Sequence, residues 1–118
     1  MIVTFEEIER VKRPAVLEGV KNAYGLLVSG DSMKPAYRHG DMALVHPGLP
    51  PQRGEDVVLF DHPLTELEDG QAEAIIKHLV GWTSTEWQLE QYNPPREWSE
   101  LRANWPTCHR VVGSYKRR

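Results

Sequence analysis

The sequence predicts a mostly-β domain of short antiparallel strands with little helix. Three observations predict it. From Tyr24 onward the chain is a series of short apolar runs separated by turn residues. The breaks are strong: Gly30-Asp31 and Gly40-Asp41 are turn dipeptides, and the prolines of Pro47-Gly48-Leu49-Pro50-Pro51 cannot donate to a ladder. Around Trp87, the apolar pair Trp87 and Leu89 alternates with Gln88 and Glu90, as in a strand with one buried and one wet face.

Residues 1–23 read as a connector or arm leading into a domain that occupies 24–118. Phe5, Ile8 and Val11 would line one face of a short helix, with Thr4 as its cap, Glu7 three positions on and Pro14 ending it. An extended arm fits the same residues equally well. Strands are expected over 24–29, 42–46, 56–61, 73–80, 86–92 and 108–115, in a sandwich or barrel-like sheet. Residues 62–71, rich in Glu, Asp and Gly, read as a mobile hairpin connection, and Asn93-Pro94-Pro95 ends the strand before it. No repeat, low-complexity tract or linker divides the chain.

At 118 residues the chain can bury a core without disulfides or metal. Its 40% hydrophobic and 26% charged residues are those of an ordinary soluble domain. A net charge of −3 argues against holding duplex DNA unaided, because phosphate neutralisation supplies much of that affinity. The terminal Lys116-Arg117-Arg118 reads as solvation. No apolar run is long enough to span a bilayer, and Met1–Glu7 lacks the pattern of a signal peptide. Cys108 has no internal partner and reads as a small buried hydrophobe; a cytoplasmic, reducing location is expected. His39, His46, His62 and His109 show no ligand spacing, so neither metal nor cofactor is implied. Trp82, Trp87, Trp98 and Trp105 are expected in the core or at a dimer interface.

The chemistry concentrates at Ser32 and Lys77. Ser32 sits in the turn Gly30-Asp31-Ser32-Met33-Lys34-Pro35, and Lys77 lies within the apolar run Ala74–Val80. A serine hydroxyl needs a base to take its proton, and lysine is a base only when neutral. Its ordinary pKa of about 10.4 must therefore fall, and burial among aliphatic groups lowers it. A fall to about 7 is worth roughly 5 kcal/mol. Strand alternation puts Ile75 and Leu79 on the face of Lys77 and sends Ala74, Ile76 and His78 to the other, which argues against His78 as a third catalytic member. Backbone N–H groups at Ser32 and its neighbours would face an oxyanion if the turn opens a short helical segment over Met33–Tyr37. Gly30 and Asp31 would support the turn, Met33 would pack inward, and Asp31 and Asp41 read as turn caps. Taken singly, a serine after Gly-Asp is most often a turn residue and a strand lysine most often snorkels to solvent.

Together these motifs resemble the LexA-like, S24-type self-cleaving domains of LexA, UmuD and phage repressors. The resemblance runs from about Arg13 to Gly113. It is carried by Val28-Ser29-Gly30-Asp31-Ser32-Met33-Lys34-Pro35, Gly40-Asp41-Met42-Ala43-Leu44-Val45, Gly54-Glu55-Asp56-Val57-Val58, Ile76-Lys77-His78-Leu79, Gln91-Tyr92-Asn93-Pro94 and Arg110-Val111-Val112-Gly113. The lead-in Pro14–Tyr24 is similar to that of phage-repressor members. The resemblance implies a compact LexA-like C-terminal-domain fold that forms a homodimer. Ser32 would be the nucleophile and Lys77 the general base for self-cleavage. It also implies a RecA filament as trigger, and DNA binding through an N-terminal helix-turn-helix domain absent from these residues.

Two departures stand out. No helix-turn-helix precedes the serine motif, and no Ala-Gly or Cys-Gly dipeptide lies upstream of Ser32; Glu18-Gly19 and Tyr24-Gly25 are poor substitutes. Two explanations fit: the C-terminal part of a longer repressor, which is expected because residues 1–13 read like the tail of a connector, or a short stand-alone relative whose cleavage segment is absent. The alternatives are a dimerisation module that does not cleave and a UmuD-like accessory of a translesion polymerase. A membrane signal peptidase shares the Ser-Lys logic but needs an anchor that this sequence lacks.

Overall fold

Every regular element among the described residues of the computed structural model is a strand; those residues are 2–4, 23–61 and 71–116. The strands are β1 (Ile2–Thr4), β2 (Tyr24–Leu27), β3 (Met42–His46), β4 (Asp56–Phe60), β5 (Gln71–Trp82), β6 (Glu86–Tyr92), β7 (Pro95–Leu101) and β8 (Thr107–Tyr115). They join in the order β2-β3-β8-β4-β5-β6-β7, with β1 beside β5. Every pairing is antiparallel. The mostly-β expectation therefore holds, and each of the six expected runs contains a strand.

Two strands go beyond expectation. β1 takes up Thr4, expected as a helix cap; the helix itself would fall on residues outside those described. β7 starts at Pro95, directly after the turn that ends β6. Proline is tolerated there because β7 is an edge strand and Pro95 is its first residue. The connection expected over 62–71 is shortened by Gln71, which opens β5; residues 62–70 lie outside the described ones.

The core occupies both faces of the sheet. β4 lies between β8 and β5, and its run Val57–Phe60 is fully buried. Such a strand reads as continuously apolar rather than alternating. Val58 and Phe60 join Ala74 and Ile76 of β5, Tyr24 and Leu26 of β2, and Met33 and Tyr37 of the β2–β3 connection. Val57 and Leu59 join Leu79, Trp87 and Leu89 on the other face, with Ile75 packed alongside. Lys77's neighbours in β5 thus divide between the faces as alternation requires. The tryptophans gather on this second face: Trp87 is buried, and Trp82, Trp98 and Trp105 pack around the cluster. Cys108 is half-buried there, and burial pushes its thiol up to about 12, so it is inert as a nucleophile at neutral pH.

A bulge interrupts the β5–β6 hairpin. Trp82 pairs with Trp87 and Gly81 with Gln88, but Leu79 pairs with Leu89, which leaves Val80 without a partner.

His109 of β8 is a half-buried imidazole whose Nδ1 lies 2.7 Å from the Tyr24 hydroxyl. Burial pushes it down to about 4, against an ordinary value near 6.5. Between those values the unfolded chain binds a proton that the folded protein refuses. Stability therefore falls as pH drops through that window. His109→Gln is expected to flatten the curve, read as the urea midpoint against pH; an equally steep curve would contradict the assignment.

Candidate functional site: a serine loop against a buried lysine

The β2–β3 connection is a loop with a closed neck. Val28 N–H donates to the Asp41 carbonyl, and Gly40 N–H to the Val28 carbonyl, both at 2.8 Å. Gly30 and Gly40 turn the chain at either end with φ of 86° and 91°, a region strained for residues with a Cβ. Inside the loop, Lys34 N–H donates to the Asp31 carbonyl (3.2 Å) and Tyr37 N–H to that of Met33 (2.9 Å), a single helix-like turn. Met33, only 1% exposed, anchors this turn in the core.

Asp41 is buried, and its Oδ2 accepts from Arg38 N–H at 2.8 Å, the expected turn cap. Asp31 differs: among the described residues its exposed carboxylate meets only Lys34 (3.6 Å), and its carbonyl makes the structural bonds, accepting also from Asn93 Nδ2 at 3.1 Å.

A break in the sheet makes room for the serine. The β5–β6 ladder ends at His78 and Glu90, whereas the β6–β7 ladder continues to Tyr92 and Pro95. Past the break, the amides of Tyr92 and Asn93 donate to the Ser32 carbonyl at 3.0 and 2.9 Å. The serine loop thus occupies hydrogen-bonding positions that β5 leaves open.

Lys77 stands in β5 opposite Val57 and one residue from the end of the ladder. Its Nζ donates to Ser32 Oγ at 2.9 Å. Lys77 is 8% exposed, and among the described residues no carboxylate forms an ion pair with it. Burial accordingly pushes its ammonium pKa below the ordinary lysine range. Once Nζ is neutral, the same separation lets its lone pair accept the Ser32 proton. The N–H groups of Ser32 and Met33 find no acceptor among the described residues.

Ser32, Lys77 and the Gly30–Met33 turn thus lie together. His78 points away from Lys77 but not into empty space. Its Nδ1 lies 2.9 Å from Asp56 Oδ1 and 3.0 Å from the Tyr92 hydroxyl. The Tyr92 hydroxyl donates to Asp56 Oδ1 (2.9 Å) and that of Tyr37 to Oδ2 (2.7 Å). Asp56 and Tyr92 stood in the sequence only as members of the motifs that carry the resemblance, with no role read for them or for Tyr37, because only the register brings the three together; Asn93 read as a turn residue. Among the described residues no cluster of His, Cys, Asp or Glu could hold a metal, and no helix is long and apolar enough to cross a membrane.

Comparison with known proteins agrees with this architecture. A model of the family described as Peptidase S24-like matches residues 3–113. The chain is 37% identical over 105 residues to the Repressor protein C of Rhizobium phage 16-3, which covers 89% of this chain and 40% of that protein. The chain therefore belongs to the peptidase S24-like family. It spans less than half the length of the curated relative it matches. No solved structure matches.

Proposed function

We propose that this chain is the C-terminal regulatory domain of a phage-repressor-like transcription regulator and that Ser32 and Lys77 cut a peptide bond of the protein itself. The observation that carries this reading is the 2.9 Å contact between Ser32 Oγ and a buried lysine. Neutral Nζ takes the Ser32 proton as Oγ attacks the scissile carbonyl carbon. The N–H groups of Ser32 and Met33 stabilise the resulting oxyanion. On collapse the C–N bond breaks, and Lys77 returns the proton to the departing amine. Water then attacks the acyl ester, with Lys77 taking its proton; as the ester C–O bond breaks, Lys77 returns that proton to Ser32 Oγ.

The reading includes pairing of two copies, DNA binding through a segment outside these residues, and a RecA filament as trigger. A second reading is a dimerisation module that keeps the serine loop and the lysine but does not cleave.

Self-cleavage of the full-length protein across pH separates the two. Lysine that must be neutral gives a rate that rises tenfold per unit while Nζ is still charged and levels off once it is deprotonated, so the rate is followed from about pH 5 to 10. A rate that is flat or falls over that range rejects Lys77 as the base; no cleavage at any pH favours the module.

A further inference from the structure

We infer that Asp56 is a positioning residue for the Ser32–Lys77 pair, its carboxylate joining the three segments that fix the geometry of that pair; the inference deepens the dyad reading and rests on it. The first segment is the serine loop, whose Tyr37 donates its hydroxyl to Oδ2 at 2.7 Å. Tyr37 also closes the helix-like turn that begins next to Ser32, through its amide bond to the Met33 carbonyl. The second is the β6–β7 turn. Tyr92 donates its hydroxyl to Oδ1 at 2.9 Å, while its own amide holds the Ser32 carbonyl at 3.0 Å. The third is the lysine strand, where His78 lies directly opposite Asp56 and brings Nδ1 to Oδ1 at 2.9 Å. His78 is the residue after Lys77.

A carboxylate suits this place because it only accepts, and it has lone pairs for several donors at once. Both tyrosines arrive as donors, and the tautomer of His78 with its proton on Nδ1 would complete the set. Burial and the bond to Asp56 raise the pKa of both phenols, so they stay protonated donors across the working pH range. An amide at position 56 would present an N–H₂ group to one of these donors and break a tie. The Asp56 carboxylate hydrogen-bonds neither Ser32 nor Lys77; it acts through the segments that carry them.

The test uses Asp56→Asn in the full-length protein, with two readouts. The first is the NMR titration of the Lys77 side-chain amine. Removing a nearby negative charge would by itself lower the lysine pKa further. Release of the serine loop admits water and raises it toward the ordinary value. The inference expects a rise. The second readout is labelling of Ser32 by a fluorophosphonate probe, expected to slow about tenfold in protein that circular dichroism shows to be folded.

If Asp56→Asn does not fold, Tyr37→Phe and Tyr92→Phe remove single ties while keeping the rings. Each is expected to slow labelling severalfold, and together they should cost less than the product of the single effects, because they share one acceptor. An unchanged or lowered Lys77 pKa in folded Asp56→Asn protein overturns the inference, whether or not Ser32 reacts. For the phenylalanine variants, wild-type labelling does so. Failure of the dyad reading shows differently, as labelling that survives Ser32→Ala or Lys77→Ala.

Discussion

Lys77→Arg is expected to abolish self-cleavage of the full-length protein as completely as Ser32→Ala, each lowering the rate by at least about a thousandfold. Arginine keeps a positive charge and can still hydrogen-bond a hydroxyl. It cannot lose its proton in the working range, so it cannot serve as a base. The substitution therefore distinguishes a lysine that removes a proton from one that only orients the serine at 2.9 Å. Lys77→Ala should fail equally. A Lys77→Arg protein cutting within tenfold of wild type would rule out the general-base role, even if Ser32→Ala is dead. Cleavage products are read by gel and mass spectrometry. Circular dichroism checks that the longer, more polar side chain has not unfolded the buried site.

Phe60→Ala should produce the largest loss of stability, about 3–5 kcal/mol. Phe60 is fully buried in β4, a strand flanked on both sides, so the space left behind cannot collapse easily. Its ring packs edge-on to Tyr24 and His109, with centroids 6.2 and 5.8 Å away. In a domain of this size the midpoint of thermal unfolding would drop by roughly 10–25 °C. Phe60 belongs to the same cluster as Met33 and Tyr37, so the cavity also loosens the floor of the serine loop. A loss under about 1 kcal/mol would show that the cluster repacks freely. Leu27, 51% exposed at the end of edge strand β2, should tolerate the same change with little effect and serves as control.

Local chemistry made much of this architecture legible in the sequence. Gly30-Asp31, Gly40-Asp41 and the proline loop punctuate the chain wherever its structure must turn. Alternation around Lys77 was readable because Ile75 and Leu79 differ so clearly from a lysine in hydropathy. β7 was not readable. Its residues Arg96, Glu97, Ser99 and Glu100 are polar because an edge strand meets solvent, and two prolines in its approach suggest a loop. The Asp56 cluster was hidden for a different reason. Tyr37, Asp56, His78 and Tyr92 come from four separate segments, and nothing in any one of them announces the others. The sequence showed that His78 turns away from Lys77, but only the strand register shows what it turns toward.

The unpaired Val80 acts as a phase corrector for the whole site. Trp82 and Lys77 stand an odd number of positions apart, so an unbroken strand would send them to opposite sides of the sheet. One extra residue absorbs the mismatch. The tryptophan can then join the cluster around Trp87 while the lysine keeps the orientation of Leu79. The hairpin end of β5 and its lysine end are consequently in different frames, reconciled at a single position. Removing that position would leave composition and hydropathy almost untouched, yet force a choice between a tryptophan packed against its cluster and a lysine facing its serine.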